Sequence, residues 1–163
     1  RDPRVKAVFT FDPWVWAKND DISRNNMVVK QPQIHIITEG FSPTCEKYFS
    51  YDTELSLSWL LKISPQEAKE LIILKGCNHY HQTDAICIVP VEAFIKSGNK
   101  PQTNVGDIYL LNTHLVMVFL YQTGFSNAFD PKMLISRVKK LEKKFVEYKI
   151  KYEDEKFNIL DIT

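Results

Sequence analysis

Leu71–Val89, LIILKGCNHYHQTDAICIV, is the stretch that most narrows what this chain can fold into. Leu71, Ile72, Ile73 and Leu74 form an unbroken apolar run. A short run of that kind fits a strand covered on both faces, as in a parallel sheet. Gly76 ends the strand, and a polar segment with two histidines, His79 and His81, follows at once. Thr83 and Asp84 offer side-chain oxygens to cap a helix opening at Ala85. Open α/β sheets place their chemistry just past the C-terminal ends of their strands. Either histidine is therefore a candidate, and spacing alone does not choose between them.

The strands on the N-terminal side support this architecture. Val5–Phe11 (VKAVFTF) is rich in branched and aromatic residues and stops at Asp12-Pro13. Lys18 to Asn26 reads as a polar loop, and Pro32 precedes a second strand, Gln33–Thr38 (QIHIIT). Ser42–Ser50 reads as loop, Thr53–Lys62 as a short amphipathic helix, and Ser64-Pro65 as a turn into the third strand. Helices are expected at Ala85–Lys96 and Val105–Thr123, the latter closed by Gly124. From Asp130-Pro131 onward, Leu134, Val138, Leu141, Phe145, Tyr148 and Tyr152 alternate four and three apart. That spacing predicts one long amphipathic helix with an apolar seam and a lysine-rich face. The seam has no evident partner within so short a chain, which implies one for Lys132–Tyr152, either another part of the protein or another subunit. The expected fold is α/β: three parallel strands with flanking helices, the C-terminal part of a larger sheet, over residues 1–126. Residues 127–163 would be a helical extension.

The rest of the composition mainly excludes. A formal charge of +1 over 163 residues gives no reason to expect a nucleic-acid partner. No apolar run reaches membrane-spanning length; Leu115–Tyr121 is the most apolar piece. The three cysteines, Cys45, Cys77 and Cys87, are odd in number and without metal-type spacing, which leans to a reducing, intracellular setting or to unpaired thiols. His79-x-His81 beside Cys77 and Cys87 lacks the ligand count and spacing of a zinc site, so no metal or cofactor is expected. His35 and His114 sit in apolar segments and read as structural.

Two strand ends carry groups able to do acid–base chemistry, Asp12 after the first strand and His79 after the third. Acid before histidine is the chain order of the α/β-hydrolase triad, in which the acid orients the imidazole that activates a serine. The sequence contains no G-x-S-x-G.

Four segments carry a resemblance to a known family. RDPRVKAVFTFDPWVW is similar to the strand and Asp-x-Trp motif of the platelet-activating factor acetylhydrolases, plasma and intracellular type II. QPQIHIITEGF resembles that family's Gln-Pro strand. LKGCNHYHQTD resembles its strand followed by Gly-x-x-His, with an aspartate five positions later. VGDIYLLNTHLVMVFL is similar to a family helix that follows a variable loop. The likeness runs from Arg1 to about Gly124 as ordered short motifs.

The resemblance implies an α/β-hydrolase fold and serine-dependent, calcium-independent hydrolysis of acetyl, short or oxidised sn-2 acyl groups of phospholipids. It implies Asp12 as triad acid and, through Gly76, His79 and Asp84, selects His79 over His81 as triad base. It also implies a phospholipid substrate or lipid surface, and a partner: the N-terminal half of the hydrolase domain, which carries the serine and the oxyanion hole. Trp14, Trp16, Ile86, Ile88, Val89 and Phe94 would line an acyl pocket, or serve as ordinary core. The competing expectation is a catalytically inactive hydrolase remnant retained as a scaffold subunit, docked through its C-terminal helix.

Overall fold

A computed structural model describes residues 3–15, 19–24, 26–50, 52–65, 69–82, 105–125 and 130–150. Four strands form one sheet in chain order: β1 (Val8–Phe11), β2 (Gln33–Thr38), β3 (Lys69–Leu74) and β4 (Val146–Ile150). β1, β2 and β3 run parallel, with Val8 opposite Gln33 and Gln33 opposite Lys69. β4 joins the far side of β3 antiparallel, with a register irregularity between Ile73 and Leu74. The three parallel strands with flanking helices agree with the α/β expectation.

All six residues of β2 are buried, as are the last five of β3, the burial expected of strands covered on both faces. Ile34, Ile36, Ile72 and Leu74 point to one face of the sheet. They meet Ile108, Leu111, Leu115, Val118 and Phe119 of helix α4 (Val105–Gln122) and Leu134, Ile135 and Val138 of α5 (Pro131–Phe145). On the other face Ile37, Leu71 and Ile73 pack on Leu57 and Leu61 of α3 (Thr53–Ile63). Asp52 caps α3 by accepting from the Leu55 N–H at 3.0 Å. Gly124, with φ +77°, closes α4: its N–H donates to Tyr121 and that of Phe125 to Leu120.

Several expectations need correction. The helix seam stops at Phe145, and Val146–Ile150 is strand, not helix. VEYKI alternates branched or aromatic with charged residues, which suits a strand as well as a seam. The outer edge of β3 decides between them by offering a ladder of hydrogen-bonding groups. The seam also has its partner inside the chain, because Leu134 and Val138 are buried with α4. The described part of 127–163 therefore contributes both a core helix and a strand to the same sheet. Tyr152 lies outside the described residues.

The stretch read as loop at Ser42–Ser50 is helix α2 (Phe41–Phe49). Pro43 does not break it, since it sits in the first turn, where an N–H has no intrahelical acceptor. Asn19–Ser23, within the expected polar loop, is a short helix, α1, that buries Ile22. The first strand begins at Val8 rather than Val5. The helix expected at Ala85–Lys96, with its caps Thr83 and Asp84, lies outside the described residues, as do Trp16, Ile86, Cys87, Ile88, Val89 and Phe94.

Candidate active site

Parallel pairing brings the C-terminal ends of β1, β2 and β3 to one edge, and with them Asp12, Thr38 and His79. Asp12 leaves β1 with φ +42°, a left-handed conformation that non-glycine residues adopt rarely and aspartate more readily than most. This bend carries its carboxylate across the end of β2. There Oδ1 accepts from the Thr38 backbone N–H at 2.6 Å, and Oδ2 from the Thr38 hydroxyl at 2.9 Å. The Asp12 N–H remains tied to the Ile36 carbonyl at 2.9 Å. Asp12 is 1 % exposed. A carboxylate so enclosed needs such donors.

His79 reaches the same carboxylate from the far side of the sheet edge. Its Nδ1 lies 3.2 Å from Asp12 Oδ2. An ionised carboxylate only accepts, so the proton of a neutral His79 belongs on Nδ1 and its lone pair on Nε2. Phe41 stacks on the imidazole with ring centroids 5.1 Å apart, and Trp14 meets it edge-on at 6.3 Å. The His79 side chain keeps 36 % of its surface exposed, and Trp14 is half exposed beside it. Anchoring and access are thus combined: one ring nitrogen is fixed while part of the ring stays open to solvent.

The turns that carry these groups brace one another. Glu39 N–H donates to the Leu74 carbonyl and Gly40 N–H to that of Cys77. Gly76 N–H donates to Glu39 Oε2 at 2.6 Å. Gly76 adopts φ +68°, where glycine avoids a steric cost. A Cβ on Gly40 would stand 3.3 Å from both Asn78 Cβ and the Cys77 carbonyl, so the two turns need a small residue there. Asn78 then starts a 3₁₀ turn, His79–Gln82, accepting from the Tyr80 N–H through Oδ1.

His81 is separated from His79 by its surroundings. It is fully buried, and its Nδ1 lies 3.0 Å from the Asn78 N–H. Its pKa is lowered, first by burial, against smaller raising effects from an Asn78 hydrogen bond and the Asp12 charge. His35 bridges Thr10 Oγ1 at 2.7 Å and Gln33 Oε1 at 3.0 Å, with burial lowering its pKa to about 4. His114 is buried in α4, and burial followed by the Arg137 charge lowers its pKa. Among the described residues no cluster of three or more His, Cys, Asp or Glu side chains is arranged to hold a metal.

Both sequence candidates, Asp12 and His79, are therefore in contact. Thr38, Glu39 and Phe41 are the additions. They lie in the quoted strand and turn IITEGF, and the available signal was their place at the end of a strand lying between those of Asp12 and His79. No protein-family profile, curated protein or solved structure matches the chain.

Proposed function

We propose that this chain supplies the acid and the base of a serine-dependent ester hydrolase of α/β-hydrolase type, acting on acetyl or short sn-2 acyl esters of phospholipids. The observation that carries the reading is the Asp12 Oδ2 to His79 Nδ1 contact at the C-terminal edge of parallel strands. His79 Nε2 takes the proton of a serine hydroxyl as that oxygen attacks the ester carbonyl. It then returns the proton to the departing lysophospholipid oxygen. Asp12 fixes the tautomer and stabilises the imidazolium. The serine and the oxyanion donors come from polypeptide outside these 163 residues, the N-terminal half of the hydrolase domain. Trp14 and Tyr80, both exposed near His79, suit contact with a lipid surface.

The test is His79→Ala in the complete native protein, assayed on a phosphatidylcholine with an sn-2 acetyl group. We expect activity to fall by on the order of a thousandfold or more with an unchanged melting temperature. Retained full activity overturns the assignment. The second reading, a non-catalytic remnant serving as scaffold, predicts no hydrolysis before or after substitution. Because Leu134 and Val138 already pack inside the chain, such a scaffold would dock through the exposed Lys132, Arg137, Lys139 and Lys140 rather than through the seam.

A further inference from the structure

The peptide group that joins Cys77 to Asn78 is held on both sides. Its carbonyl accepts from the Gly40 N–H at 3.1 Å, and its N–H donates to His81 Nδ1 at 3.0 Å. A peptide group is planar, so two ties on opposite sides fix its orientation. One tie runs to the turn after β2, and the other to a side chain three residues ahead. The His81 N–H returns a bond to the Asn78 carbonyl at 2.9 Å, and Asn78 Oδ1 accepts from the Tyr80 N–H at 3.1 Å. His79 therefore sits between two backbone positions that are both held.

His79 needs this support. Its Nδ1 reaches Asp12 Oδ2 at 3.2 Å, while its side chain keeps 36 % of its surface exposed, so packing encloses only part of the ring. Turning the Cys77–Asn78 peptide group would swing His79 away from a carboxylate that Thr38 holds in place.

Only one form of His81 can accept at that point. A proton on Nδ1 would suit Asn78 Oδ1, also 3.0 Å away, but it would set two N–H groups head to head. The Asn78 N–H therefore requires the lone pair on Nδ1, and the proton of the neutral ring lies on Nε2. That nitrogen is buried with no partner among the described residues. An unpaired buried donor is costly, and an apolar side chain would avoid the cost. The acceptor at Nδ1 is what the imidazole adds. An imidazolium carries protons on both nitrogens, so the ring must also stay neutral, and burial acts in that direction by lowering its pKa.

We propose that His81 is a positioning residue: its neutral imidazole holds the Cys77–Asn78 peptide group and through it aims His79 at Asp12. The effect on catalysis rests on the hydrolase reading, whereas the placement of His79 does not.

The experiment compares His81→Leu and His81→Asn with the unsubstituted complete native protein, each carrying isotopically labelled histidine. Asparagine bears an oxygen one bond beyond Cγ, as histidine bears Nδ1, and can accept from the Asn78 N–H. Leucine fills the space without an acceptor. In the unsubstituted protein at neutral pH, nitrogen NMR should find His81 protonated on Nε2 alone and His79 carrying a hydrogen-bonded proton on Nδ1. His81→Leu should lose that His79 signal and, per folded molecule, lower kcat by on the order of a hundredfold with KM little changed. His81→Asn should keep both near native. A His81 proton on Nδ1, a native His79 signal in folded His81→Leu, or a lost signal in His81→Asn each overturn the proposal. If the leucine variant does not fold, the native tautomer and the asparagine variant decide the matter. A native protein with both signatures that cleaves no ester refutes the hydrolase and keeps the positioning role.

Discussion

Asp12 combines three properties that rarely meet in one residue: a left-handed backbone, near-complete burial and a histidine on its carboxylate. Its two donors from Thr38 hold the anion in place, while His79 occupies the remaining side. Asp12→Asn keeps an oxygen to accept but can present an N–H toward His79 Nδ1, reversing the tautomer and moving the lone pair away from Nε2. On the proposed hydrolase reading, kcat should fall by on the order of a thousandfold or more, with KM little changed, in steady-state assays of the complete protein. Thr38→Val removes the hydroxyl donor while sparing the backbone one. A loss of about 1 kcal/mol in urea unfolding, with hydrolysis reduced far less than by Asp12→Asn, is the expected outcome.

Helix α5 and strand β4 show how one apolar pattern divides between two kinds of element. Leu134 and Val138 bury themselves against α4, whereas the residues from Val146 pair with β3. Leu134 is 2 % exposed, so Leu134→Ala should destabilise the isolated chain by about 2–4 kcal/mol in chemical denaturation. A seam reserved for another subunit would instead leave the isolated chain within about 0.5 kcal/mol of its original stability. α4 carries the larger share of this face, with Ile108, Leu111, Leu115, Val118 and Phe119 all fully buried. Its middle turns, from Tyr109 to Met117, also line a groove with Phe9 and Phe11 of β1. One helix thus joins the core to the outer strand β1 of the described sheet.

For the molecule as a whole, buried histidines link stability to pH. His35 has a folded pKa of about 4, below its ordinary 6.5, so the unfolded chain binds the proton first as pH falls. Its contribution is complete above pH 6.5 and is lost progressively toward pH 4, amounting to about 3 kcal/mol as an upper figure. His81 and His114 are lowered too and act in the same direction. Unfolding free energy measured from pH 7 to pH 4 should therefore decline, and His35→Gln should flatten that decline. An unchanged slope in the variant would assign the loss to other groups.

The sequence by itself determined the three strands, because LIIL and QIHIIT are short apolar or branched runs that suit a covered strand and VFTF one that is partly exposed. It also placed Asp12 and His79 at strand ends, since Asp-Pro and Gly each stop a strand. Tertiary structure alone decided that the two ends meet through Thr38, a contact across β2 that no local pattern encodes. Tertiary structure likewise made VEYKI a strand. Its spacing fits a helix and a strand equally, and the unpaired edge of β3 supplied the hydrogen bonds that broke the tie. Ser42–Ser50 became helix for a related reason: Phe41 and Cys45 are one turn apart and are buried together, which outweighs the turn-like local sequence.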